Sequence, residues 1–171
     1  MAAELRSLLM RANRLLGVGL VEHNLVKVED LGPANERLFE LLAANSERQA
    51  SLLSVLLDEK KVLTEDALFQ HLVEEHGVGL IDLRTYEVPD DIRKTLKPGP
   101  CWATWTVKFD QEEEFHFLAT AYYLSSAVRT YWEKQLKGQI IWFATSIEGI
   151  TEFLEKIELE KPKTPAGAPA A

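Results

Sequence analysis

Cysteine is nearly absent from this chain of 171 residues. Cys101 stands alone, which excludes an internal disulfide and leaves the fold to its core, as suits a reducing compartment. Long apolar runs are missing as well. No stretch of about 18 uncharged apolar residues occurs, so no membrane span and no direct membrane insertion are expected. The first 24 residues are partly apolar, but Glu4, Arg6, Arg11, Asn13 and Arg14 interrupt them too early for a secretion signal, and a cytoplasmic protein is expected. Positive charge is also scarce. The formal net charge is −8, and the longest basic groups, Lys60-Lys61 and Arg93-Lys94, are single pairs set among acids. A nucleic-acid surface needs a dense cationic face, so no nucleic-acid partner is expected.

Catalytic constellations are lacking too. No G-x-x-x-x-G-K-[ST] loop is present, and Gly17-Val18-Gly19 lies within a helical pattern, where a dinucleotide fingerprint would have to follow a strand. Cys101, between Pro100 and Trp102, has no cationic neighbour to activate it and reads as a strand-edge thiol. Glu112, Glu113 and Glu114 read as the solvated tip of a hairpin, since paired catalytic acids need a cleft. His71 and His76 stand five apart on an expected helix, a spacing that points them in different directions, and no ligand motif surrounds them. They read as surface histidines, with His23 in a turn and His116 on a strand. No metal site, no catalytic residue and no cofactor is expected.

What is present is a helical first half. Leu5, Leu8, Leu9, Ala12, Leu15 and Leu16 recur at helical spacing. Gly17 and Gly19 each weaken a helix by about 1 kcal/mol relative to alanine. They read as its end, or else as a place where another backbone or a ligand comes close. A second helix is expected from about Glu29 to Ala44, with Pro33 within about its first turn, where a missing N–H does little harm, and Leu31, Ala34, Leu38, Leu41 and Leu42 as its buried stripe. Asn45-Ser46 ends it, and Ser46 is expected to cap a third helix running to about Lys60. Thr64 caps a fourth, to His76, with Glu65 and Asp66 where the helix dipole favours negative charge. The segments Leu20–Val26 and Leu56–Leu63 share a plan of apolar pair, polar turn, apolar pair and acidic helix start, and the second copy has one extra residue in its turn.

From Gly79 the period changes. Gly79–Leu83 is a short strand candidate, a short helix begins at Pro89, and Pro98-Gly99-Pro100 reads as a turn. Cys101–Phe109 and Phe115–Ala121 read as strands joined by a polar hairpin loop, Leu124–Leu136 as a helix, Gln139–Thr145 as a strand, and Ser146–Ile157 as a closing helix. Trp102 and Trp105, three apart on one strand, would face opposite sides of the sheet, leaving one exposed for a partner. At least three of Trp102, Trp105, Trp132 and Trp142 are expected in the core. The fold class is therefore α+β: a helical half over residues 1–78 with two helix–turn–helix repeats, a small mixed-sheet unit over 79–160, and a Pro/Ala tail over 161–171 without apolar pattern, expected to be disordered.

Residues 13–158, through the paired leucine-rich repeats, Val62-Leu63-Thr64-Glu65-Asp66, and Gly79-Leu80-Ile81-Asp82-Leu83 with Tyr86 and Pro89 behind it, resemble the N-terminal domain of type II secretion and type IV pilus assembly ATPases. The ATPase domain that follows in that family is not in this sequence. The resemblance implies a bacterial docking or regulatory domain. In some members it engages an assembly protein at the inner membrane, so a protein partner from a secretion or pilus system is implied. In others the paired repeats bind cyclic di-GMP through motifs of the type R-L-G-x-x-L-V-x-x-G-L-I. Carried over, that ligand would meet Leu16, Gly17, Leu20, Val21, Leu25 and Val26 in the first copy and Leu52, Leu56 and Leu57 in the second. The first copy has Leu15 for the arginine and Asn24 for the second glycine. The second has Ser51, Leu53, and Lys60 or Lys61 in the arginine and glycine places. Side chains at glycine places obstruct a close approach of ligand to backbone.

Overall fold

Helix α1 runs unbroken from Ala3 to Glu22, straight through both glycines. The expected helix end is therefore wrong, and the alternative of a close approach holds. A Cβ on Gly19 would lie 2.5 Å from the backbone oxygen of Leu124, and one on Gly17 would lie 3.0 Å from a methyl of Leu31. The glycines let other parts of the chain press against the helix. The computed structural model describes residues 2–44 and 50–160. The expected cap at Asn45-Ser46 and the expected disorder from Lys161 onward lie outside the described residues.

α2 (Val28–Ala43) buries Ala34, Leu38 and Leu42, and it carries Pro33 inside the helix, beyond the first turn where it was expected. The third helix is shorter than expected. α3 (Leu52–Ser54) is capped by Ser51, whose hydroxyl accepts from the Ser54 amide at 3.3 Å, and it passes directly into a π-helical turn, Val55–Glu59. α4 (Glu65–His76) begins on Thr64, whose Oγ1 accepts from the Ala67 amide at 3.2 Å, and ends on Gly77 in the left-handed region (φ 64°).

The second half holds a four-stranded sheet in the order β1-β4-β3-β2, formed by β1 (Gly79–Leu80), β2 (Thr106–Glu112), β3 (Phe115–Thr120) and β4 (Gln139–Ala144). β2 and β3 form an antiparallel hairpin; β4 runs parallel to both β3 and β1. α5 (Asp90–Thr95) follows Pro89, α7 (Ser126–Gln135) carries the crossover from β3 to β4, and α8 (Ile147–Glu160) closes the unit. Ser146 Oγ accepts from the Gly149 amide at 2.9 Å, as a cap should.

One segment departs from expectation. Pro98 to Thr104 forms helix α6 in place of a turn and the start of a strand. Proline suits the first turn of a helix because its missing N–H has no partner there anyway. Trp105, at the helix end with φ 49°, turns the chain into β2. Trp102 and Trp105 therefore do not share a strand. Both are buried, packed edge to face at 5.5 Å, so neither is the exposed tryptophan expected for a partner. Cys101 is likewise buried in the helix, not at a strand edge.

Candidate functional site

The two repeats close in the same way. After α1, Asn24 adopts the left-handed conformation (φ 59°), and the amides of Leu25 and Val26 return to the carbonyl of Leu20 at 2.9 and 3.3 Å. After the π turn, Lys61 does the same (φ 53°), and the Val62 amide reaches the carbonyl of Leu56 at 3.1 Å. Lys61, not Lys60, is thus the counterpart of Asn24. The extra residue of the second copy is absorbed upstream, where the Lys60 amide bonds the Val55 carbonyl at 2.8 Å across five residues. At this place, where the R-L-G pattern has its second glycine, this chain takes a positive φ, which Asn24 adopts readily and Lys61 with strain.

The dinucleotide-site candidates are largely interior. Leu16, Leu20, Val26, Leu52 and Leu56 are buried in the core, while Val21, Leu25 and Leu57 are partly exposed. Gly17 is buried, and the space beside it is taken by Leu31 and Leu52, whose methyls lie 3.0–3.3 Å from where its Cβ would stand. Leu53, in a glycine place, is itself buried. The structure brings the two copies together, but side chains of the chain itself fill the contact.

Ser51, in the second arginine place, points inward. Its hydroxyl lies 2.6 Å from the Tyr122 hydroxyl, which in turn donates to Asn13 Oδ1 at 2.6 Å. Asn13 also accepts from the Leu52 amide at 3.0 Å and donates to the Leu9 carbonyl at 2.8 Å. All three side chains are buried, and burial pushes the Tyr122 phenol up, so it stays a donor. This node ties α1 and α3 to the segment after β3.

A feature that the sequence did not disclose lies at the end of the paired repeats. His23 (from the turn after α1) meets His71 and His76 of α4, with ligand nitrogens all within 4.8 Å of one another. Nε2 of His71 and Nε2 of His76 are 3.2 Å apart, so the expectation that they point in different directions is wrong. Five residues are roughly 140° around an ideal helix. Two long imidazoles can still bridge that angle when a third ring sits between them, and His23 does so at centroid distances of 4.8 and 5.1 Å. Burial, then the charges of His71, His23 and Arg129, hold His76 below the usual histidine range, which favours a neutral ring. No spacing rule reveals this cluster, because His23 lies far upstream of the other two. His116, by contrast, is buried with its Nε2 2.6 Å from the Lys137 carbonyl.

The sheet offers the third candidate. Phe117 and Ile141 pair across β3 and β4, with Phe143 two residues further along the same face. The rings of Phe109, Phe117 and Phe143 pack within 5.3–6.3 Å of one another, and Tyr86 lies edge to face on Phe109 at 5.0 Å. This face is only half covered: Tyr86 is 37% exposed and Ile141 39%. It carries a shallow groove of about 510 Å³ with Asp110, Gln111 and Glu112 along its rim.

No family model matches the sequence, and no curated protein matches it. Solved structures do. The chain is similar to MshE in its structure with cdg, at 17% identity and a TM-score of 0.53, over 83% of this chain and 97% of that one. It is also similar to the N-terminal domain of XpsE, at 18% identity and a TM-score of 0.46, over 91% of this chain and 96% of that one. The likeness to MshE establishes a shared fold, and at that level the chain has the architecture expected from its resemblance to the N-terminal domains of type II secretion and type IV pilus assembly ATPases.

Proposed function

We propose that this chain is a non-catalytic docking module that binds a protein partner through the half-open face of its sheet. The observation that carries the reading is the cluster of Tyr86, Phe117, Ile141 and Phe143, an apolar surface with a polar rim. Interfaces have this composition, with aromatic anchors at the centre and charge at the edge. Chemistry has little support by comparison. Cys101 is buried, His116 is held by a carbonyl, and the tip acids Glu112–Glu114 are solvated. The resemblance supplies the class of partner: a component of a secretion or pilus assembly system at the inner membrane, engaged from the cytoplasm. No helix among the described residues is long and apolar enough to cross a membrane. The acidic rim of Asp110 and Glu112 favours a partner surface with apolar and basic groups.

The test is direct titration with the purified cytoplasmic segments of the inner-membrane assembly proteins from the same organism. Ile141→Glu places a charge on the apolar face, next to Phe117 and outside the lining of the groove, at a position exposed enough to keep the fold. Phe39→Glu, on α2 and 53% exposed, is the control. A loss of about tenfold or more confined to Ile141→Glu supports the reading, a fall of about 1.4 kcal/mol in binding. Equal binding by both variants contradicts it.

A second reading is a cyclic di-GMP sensor built on the paired repeats. It is favoured by the matching turns at Asn24 and Lys61, and by the shared fold with MshE, whose structure was solved with cdg. The ligand would lie over Val21, Leu25 and Leu57, the candidates that keep some exposure. Against it stand Leu53 in a glycine place and the filled contact at Gly17.

A further inference from the structure

We propose that His23, His71 and His76 form a binding site for a divalent transition-metal ion of the zinc class. Their ligand nitrogens converge within 4.8 Å. In a tetrahedral zinc site, bonds of about 2.0–2.1 Å put neighbouring ligand nitrogens about 3.3 Å apart. The Nε2 atoms of His71 and His76 are already 3.2 Å apart, so one edge of that tetrahedron is formed. His23 is an exposed residue on a turn, and its ligand nitrogen lies within 4.8 Å of the other two, so the second and third edges are close to being formed.

The donor set selects the ion. Three imidazoles without a carboxylate suit zinc, copper or nickel and offer nothing to calcium or magnesium, which take oxygen ligands. Three protein ligands also leave one position for water or for an outside donor. The Tyr123 ring packs beside the cluster, 5.5 Å from the His76 ring. A cation whose charge reaches His76, Arg129, lies over the face of Tyr123 at 5.0 Å from its centroid, where the ring offsets part of its charge. A bound ion would pin the turn between α1 and α2 to the C-terminal half of α4, joining the ends of the two repeats.

The competing account is an edge-to-face cluster of neutral rings with one His71–His76 hydrogen bond and no ion. The two are separated by calorimetric titration of Zn²⁺ into the full chain, purified without a histidine tag and stripped with chelator. A parallel Co²⁺ titration is read by the visible absorption of a tetrahedral centre. The proposal predicts one saturable site per chain. Loss of an outer-shell partner alone weakens metal sites about 10–100-fold. Loss of a direct ligand in His71→Ala, or in His23→Ala on the exposed turn, should therefore weaken binding by more than about 100-fold. No saturable heat in the wild-type chain, or equal affinity in a folded His23→Ala variant, would overturn it.

Discussion

Single residues carry most of the departures from helical and strand rules. Gly19 is a sharp case, because a methyl there meets a backbone oxygen at 2.5 Å that cannot rotate away. Gly19→Ala should destabilise the chain by about 1–3 kcal/mol despite the better helix propensity of alanine. Gly17→Ala meets only methyl groups of Leu31 and Leu52, which can shift, so its cost should stay within about 1 kcal/mol. Urea denaturation of the two variants side by side checks both expectations. Lys61 is the reverse case. It holds φ 53° without a side-chain reason, and Lys61→Gly should raise stability by about 1 kcal/mol in the same assay. The sequence made both glycines visible but not their neighbours, since Leu124 lies far along the chain from Gly19. A helix end and a crowded helix face look alike until the packing is known.

At the scale of elements, the cap residues were the most legible part. Thr64 and Ser146 begin their helices as local chemistry requires, because a hydroxyl before an acidic turn acts within three residues. α6 was not legible. Pro98-Gly99-Pro100 has the composition of a turn, and only the burial of Trp102 and Trp105 against the core makes a helix of it. The π turn was half legible, since the extra residue of the second repeat was visible but the way the helix absorbs it was not. Between elements, the buried node of Asn13, Ser51 and Tyr122 does what apolar packing cannot, fixing α1 against α3 in one register. Tyr122→Phe removes the hydroxyl that serves both partners and should cost about 1–3 kcal/mol, measured by chemical denaturation.

Across the whole molecule the two halves share a core. Leu8, Leu9 and Leu20 of α1 belong to the same buried cluster as Trp102, Val128 and Leu154. The helical repeats and the sheet unit should therefore unfold in one transition, with far-UV circular dichroism and tryptophan fluorescence coincident; separated transitions would show that the shared core is not cooperative. Fold class and, apart from α6, the element order were readable because they rest on periodicity. The sites were not, because the aromatic face and the histidine cluster join residues distant in sequence. The central claim, a docking module and not a second-messenger sensor, turns on whether the repeats take a dinucleotide. Calorimetric titration of the purified chain with cyclic di-GMP, with GTP as control, tests it most directly. With Leu31 and Leu52 filling the contact at Gly17, no saturable heat is expected at micromolar concentrations. Saturable binding near one ligand per chain would contradict the account.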